Sequence, residues 1–149
     1  FYLGANVRDN KYTPASRVDR IFFGDAIELG LDMENQRSSA SQMWQFALGQ
    51  TASGPALYKH LPVSQEIAHA KNSIVISYDA KNEEISYQAA IPWSVLGDFK
   101  PFPGRQIGFG ALIDDSDGNS PGDRKVISWF GMGIHTKQPQ NLGILTFTK

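Results

Sequence analysis

RQIGFGALIDDSDGNSPGDRKVISWFG, residues 105–131, decides the fold. Ile107, Phe109, Ala111 and Ile113 fall at every second position. Val126, Ser128 and Phe130 do the same, with Ile127 and Trp129 on the opposite face. Period-two alternation of β-branched and aromatic side chains marks half-buried strands. Between them, Asp114-Asp115-Ser116-Asp117-Gly118-Asn119 reads as a reversal, because Asp, Asn and Gly suit turn conformations. The stretch is a β-hairpin with an acidic tip.

The rest of the chain repeats that period. FYLGANVR (residues 1–8) reads as a strand, followed by a polar connection. Residues 20–33, RIFFGDAIELGLDM, put Ile27, Leu29 and Leu31 on one face, with Asp25 and Glu28 on opposite sides. SQMWQFALGQ aligns Trp44, Phe46 and Leu48. Residues 72–79 alternate through Ile74, Ile76 and Tyr78, turn at Lys81-Asn82-Glu83, and return through Ile85, Tyr87, Ala89 and Ile91. Pro92 to Leu96 suits one helical turn, since proline is tolerated at the first helical position. Residues 142–148 close as a last strand. Residues 51–71, with Gly54, Pro55 and Pro62, and residues 131–141 read as irregular connections. About nine short strands with one brief helical turn predict an all-β fold, an antiparallel β-sandwich.

A chain of 149 residues suits a single domain, here residues 1–149. A net charge of −1 with scattered Lys and Arg offers no grip on nucleic acid or an anionic membrane surface. No apolar run reaches bilayer length. The absence of cysteine excludes disulfides, thiolate metal sites and cysteine nucleophiles. The chain opens in mid-strand on Phe1-Tyr2-Leu3 without a Met, which predicts the C-terminal part of a larger polypeptide, with N-terminal strands missing. No G-x-S-x-G motif occurs, and Asp25 and Glu28, on opposite faces, would not flank one glycosidic bond. This domain is not expected to be an enzyme.

FYLGANVRDN, GDAIELGLD, YQAAIPWSVLG, IGFGALIDDSDG, RKVISW and NLGILTF follow one another in order. Over nearly the whole chain this succession resembles the family 9 carbohydrate-binding modules and their DOMON-like relatives. The resemblance implies an antiparallel β-sandwich, non-catalytic and appended to a secreted bacterial polysaccharide-active enzyme, such as a glycoside hydrolase or a polysaccharide lyase. It implies a polysaccharide or oligosaccharide ligand, an extracellular location and a catalytic or other domain in the same polypeptide. It also implies a terminal sugar clamped between two tryptophans and a structural Ca²⁺. On this chain the first clamping aromatic falls at Phe22, ahead of Gly24-Asp25, and the acidic residue for sugar hydroxyls falls at Glu28. The basic residue before ISW falls at Arg124, and the second tryptophan falls near His135 or Thr136. Positions expected to carry polar ligands hold Ala47, Gly49 and Leu112, so the sugar site is diverged.

The residues themselves leave two readings at each candidate site. Asp115, Asp117 and Asn119 present oxygens at alternate positions, and Asp123 adds another, which suits Ca²⁺. The same residues suit a plain chain reversal, and no EF-hand is present because the twelfth position is Val126. Phe22 can pack on the apolar face of a pyranose while Glu28 and Arg124 take its hydroxyls. Alternatively Phe22 is core and Glu28 pairs with Arg124 across strands. A structural or protein-interaction domain that has lost sugar binding is the corresponding rival function. Trp44 and Trp93 read as core; Trp129, near a strand end, is the candidate ligand-facing tryptophan. His60, His69 and His135 have no metal-ligand spacing. A haem-binding DOMON-like domain using Met33, Met43, Met132 and a histidine is a third reading, without supporting spacing. No organic cofactor is otherwise expected.

Overall fold

The computed structural model describes residues 1–149 apart from 69–72, 98, 119–123 and 132, and residue 41 by its backbone alone. The strands are β1 Tyr2–Arg8, β2 Ala26–Asp32, β3 Met43–Thr51, β4 Gly54–Leu61, β5 Gln65–Glu66, β6 Ile74–Asp79, β7 Glu84–Ala90, β8 Gln106–Ser116, β9 Arg124–Trp129 and β10 Gly143–Thr146. One sheet has the order β1-β7-β6. The other has seven strands in the order β10-β8-β2-β3-β4-β5, with β9 also on β8. Every pair is antiparallel. The two sheets make the β-sandwich that the alternation predicts.

The core fills the space between the sheets. Ile27, Leu29, Leu31, Phe46, Leu48, Leu57 and Ile107 meet Ile74, Ile85, Tyr87 and Ala89 of the smaller sheet. Full burial of each large apolar side chain contributes about 1.5–3 kcal/mol. Trp44 and Trp93 pack partly buried against this core, as read from sequence. No helix among the described residues is long and apolar enough to cross a membrane, which leaves open a β-barrel.

The outer face of the larger sheet is covered too, and for that reason β2 is buried along its whole length. A 3₁₀ turn, Val18–Phe23, seats Ile21 over Ala26, Ala47 and Ala56. Further along, Ile134 and Leu142 pack on Met43 and Leu112. Ile134 belongs to a single helical turn, α1, Gly133–Thr136. Glycines make the floor flat enough for both covers. A Cβ on Gly49 would lie 2.6 Å from Ile21 Cγ2, and one on Gly30 would lie 2.6 Å from Ile134 Cγ1.

Three sequence expectations are corrected. The acidic tip is shorter than read: β8 runs to Ser116, so Asp114 and Asp115 are ladder residues opposite Val126 and Lys125. Cations on β9 offset their charge: Arg124 Nε lies 3.3 Å from Asp114, and Lys125 Nζ lies 3.9 Å from Asp115. Residues 51–71 are not an irregular connection, because they contain β4 and β5. Gly54, at φ 112°, permits the tight reversal after Thr51, and Thr51 Oγ1 donates to the Gly54 carbonyl at 2.9 Å. Residues 131–141 hold α1 and a 3₁₀ turn, Pro139–Asn141. β8 explains their path: its outer edge pairs first with β10 and then with β9, so the chain between those two must leave the sheet.

Candidate functional site

Glu28 lies on the outer face of β2, opposite Ala47 on one side and Leu112 on the other. Those neighbours belong to the two separate apolar covers. The gap between the covers is a recess of about 280 Å³, lined by Phe22, Glu28, Gln45, His60, Arg124, His135 and Lys137. Its size is at the low end of the range for ligand pockets, about 300–1,000 Å³. It suits a chain end better than a long segment.

Each wall has a structural reason. Phe22 leaves the 3₁₀ turn beside Phe23 and His60, with ring centroids 4.5 and 5.5 Å away. Arg124 holds it in place: Nη1 donates to the Phe22 carbonyl at 3.0 Å, and the guanidinium lies 5.7 Å from the Phe22 ring. Gln45 points the same way as Glu28 and donates Nε2 to its Oε2 at 2.5 Å. Lys137 donates Nζ to Gln45 Oε1, which ties the α1 loop to the floor. His135 and Lys137 are exposed at the rim, whereas Glu28 and Gln45 are buried.

Arg124 does not pair with Glu28, as the rival reading expected. Its ion partner is Asp114, whose side chain is fully buried. Arg124 Nε lies 3.3 Å from Asp114 Oδ1, and the Glu28 carboxyl adjoins Asp114 as well. Burial, then the charge of Glu28, push Asp114 up to about 8 against the opposing pull of Arg124. Burial thus favours the protonated form of Asp114. Burial pushes His60 down, which favours the neutral imidazole. The recess offers one aromatic face, a buried carboxylate, an amide, two cations and two imidazoles. That set can stack on a sugar ring and hydrogen-bond its hydroxyls.

The structure thus brings Phe22, Glu28, Arg124 and His135 together. Trp129 lies elsewhere. It sits on the other face of β9 with Ile127, beside a second, more apolar recess that includes Leu3, Ala5, Phe109 and Ile113. There it is 61% exposed and stacks on Phe130. Gln45, His60 and Lys137 were missed from sequence. Gln45 had a signal, since it is the polar member of the series Met43, Gln45, Ala47, Gly49 on the face away from the core. His60 was hidden by reading residues 51–71 as a loop.

The acidic residues divide. Asp115 meets Asp9 and Asp25, with one carboxylate oxygen of each within 4.8 Å of the others. Asp117 turns instead to Lys125, 3.2 Å away. Asn119 and Asp123 lie outside the described residues, as do His69 and Met132. Asp25 also pins the fold, accepting from the Ser116 backbone at 2.8 Å and from the Thr13 backbone. Burial raises Asp25 to about 7 despite those two hydrogen bonds, and Asp9 adds to the rise. Nearby, the Tyr87 hydroxyl is buried without a hydrogen-bond partner among the described residues and is raised by burial and then by Asp25. Met33 and Met43 are buried in different clusters.

No protein-family description matches the chain. No curated protein matches it either. Solved structures do. A family 9 carbohydrate-binding module from Caldicellulosiruptor kristjanssonii, in complex with glucose, superposes with a TM-score of 0.60 at 17% identity, covering 97% of this chain and 69% of that one. The same kind of module in complex with cellotriose gives 0.59 at 16% identity, over 99% and 68%. A Bacteroides uniformis protein described as a "putative carbohydrate-binding protein" gives 0.59 at 9% identity, over 98% and 71%. At these identities the likeness is one of fold.

Proposed function

We propose that the chain is a non-catalytic sugar-binding module that takes a saccharide end in the outer-face recess. One observation carries this reading: Phe22, Glu28, Arg124 and His135, distant in sequence, line a single recess. Support comes from a fold shared with modules bound to glucose and cellotriose. The module has diverged from them, using one phenyl face and an imidazole-lysine rim. It serves an extracellular bacterial protein, holding a catalytic domain of the same polypeptide on polysaccharide and so raising the local substrate concentration.

The test is retention on a panel of insoluble polysaccharides. Phe22→Ala should weaken retention about tenfold, the loss expected for about 1.4 kcal/mol of ring stacking. It should leave the fold intact, because the hydrogen bond from Arg124 to the Phe22 carbonyl does not depend on the ring. Equal retention of a folded Phe22→Ala protein would overturn the site, and no retention of the wild type on any polymer would overturn the function.

In this reading a structural Ca²⁺ sits at the cluster around Asp115. Asp9, Asp25 and Asp115 supply hard oxygen ligands and crowd like charges that a divalent cation would relieve. When bound, the ion would tie the β8 end to the connection after β1. The pH dependence has a definite sign. Asp25 is raised in the folded state, so folding binds extra protons between about pH 4 and 7, and stability falls as pH rises through that window. Without calcium the melting temperature should drop by about 5 °C from pH 5 to pH 8. Calcium should recover the Asp25 share of that drop at pH 8 and do little at pH 5, while the share due to Asp114, outside the cluster, should remain. No calcium effect at either pH would remove the ion from the account.

A further inference from the structure

The charges around the recess are unequal, and this bears on which sugar it takes. Arg124 and Lys137 are cations, Glu28 is the lining carboxylate, and Asp114 stands behind Arg124. Arg124 is partly neutralised by Asp114. Lys137 is not: among the described residues no carboxylate lies within ion-pair distance of its ammonium, whose bonded partner is the neutral amide of Gln45. Glu28 is held from it by that same amide. The rim therefore offers a bound sugar an ammonium with no carboxylate within ion-pair distance among the described residues.

We propose that the recess selects an acidic sugar, a uronate, whose carboxylate is taken by Lys137 with Arg124, while Phe22 faces the ring and Glu28 takes a hydroxyl. The inference rests on the sugar-binding reading above. With Lys137 and Arg124 as charged donors, a carboxylate at C6 forms an ion pair that a hydroxyl cannot. The titratable groups that line the recess are Glu28, Arg124, His60, His135 and Lys137; Asp114 stands behind Arg124, and Asp19 lies close enough to influence His60. Protonation of Asp114 favours the same outcome, because it leaves Arg124 and Lys137 facing Glu28 alone.

The experiment compares D-glucose with D-glucuronate and D-galactose with D-galacturonate, by calorimetry or by NMR titration of the whole chain. Each pair differs only at C6. At low ionic strength a uronate should bind about tenfold tighter than its parent, the equivalent of one charge-assisted contact. The advantage should shrink in high salt, since the rim is exposed and screened. Lys137→Gln should remove most of it; the residue is exposed, so the substitution is not expected to unfold the domain. Parent sugars binding as tightly as uronates would overturn this inference and leave the sugar site standing. So would a uronate preference unchanged by Lys137→Gln. Binding of none of the four, together with no retention on polysaccharide, would remove the sugar reading itself.

Discussion

Arg124→Met is expected to destabilise the domain by about 1.4 kcal/mol more at pH 9 than at pH 6, because it strips a buried carboxylate of its counter-ion. Asp114 is fully buried and Arg124 nearly so. The sign follows from linkage. Asp114 is raised in the folded state to about 8, so the fold binds a proton that the unfolded chain releases near pH 4. Stability from this group is greatest below the unfolded value and is lost as pH rises through about 8. Removing Arg124 raises Asp114 further, so the loss continues to higher pH in the variant. Near pH 6 the carboxyl is neutral in both proteins. The variant then lacks only packing and the hydrogen bond to the Phe22 carbonyl. Urea unfolding at the two pH values measures the difference. Adding Asp114→Asn should recover most of the loss at pH 9, since no buried charge remains. Sugar affinity should stay at least about tenfold down in both variants, because the guanidinium that lines the recess and anchors Phe22 is gone. A destabilisation of equal size at pH 6 and pH 9 would show that Asp114 is not the cause.

The inner face of the sandwich was legible because burial on one side leaves a strict period of two. Ile27, Leu29 and Leu31 could be read directly, as could Phe46 and Leu48. The outer face was not, because it too is covered, and its pattern mixes small residues with polar ones. Gly30, Gly49 and Gly110 carry no side-chain signal, yet they decide where Ile21, Ile134 and Leu142 can sit. Of the recess lining, Phe22, Glu28, Arg124 and His135 were named through the family resemblance. Gln45, His60 and Lys137 required the register of β3 and β4 and the path of the chain after β9. The acidic hairpin was read as one unit, but the ladder separates it. Alternation sends Asp114 toward Arg124 and Glu28, while Asp115 faces Asp9 and Asp25. A linear spacing argument treats those neighbours as one ligand set, whereas a strand places them on opposite faces.

Gly30→Val should destabilise the domain by about 2–3 kcal/mol and weaken sugar binding at the same time, through overpacking remote from any ligand contact. A Cβ at Gly30 would lie 2.6 Å from Ile134 Cγ1 and 2.8 Å from Met43 Cε. The strand cannot yield, because Gly30 is paired with Gln45 of β3 on one side and Gly110 of β8 on the other. The cover must yield instead, and Ile134 is buried in it. His135 and Lys137 lie within three residues of Ile134 in sequence, so lifting the α1 turn removes one wall of the recess. Phe22, Glu28 and Arg124 are held by other contacts and should stay in place. Binding should therefore fall without vanishing, and uronates should lose more than neutral sugars because Lys137 moves away. Adding Ile134→Ala opens the space that the new side chain needs and should recover part of the stability. Gly4→Val is the control: a Cβ there meets nothing within 4 Å, and a β-branched residue suits an exposed strand position. Its effect should stay within about 0.5 kcal/mol. Thermal melts and calorimetric titrations on the four proteins measure both quantities. If Gly30→Val matched the wild type in melting temperature and affinity, the loop after β9 would not be seated on the glycine floor, and His135 and Lys137 would have no fixed place at the site.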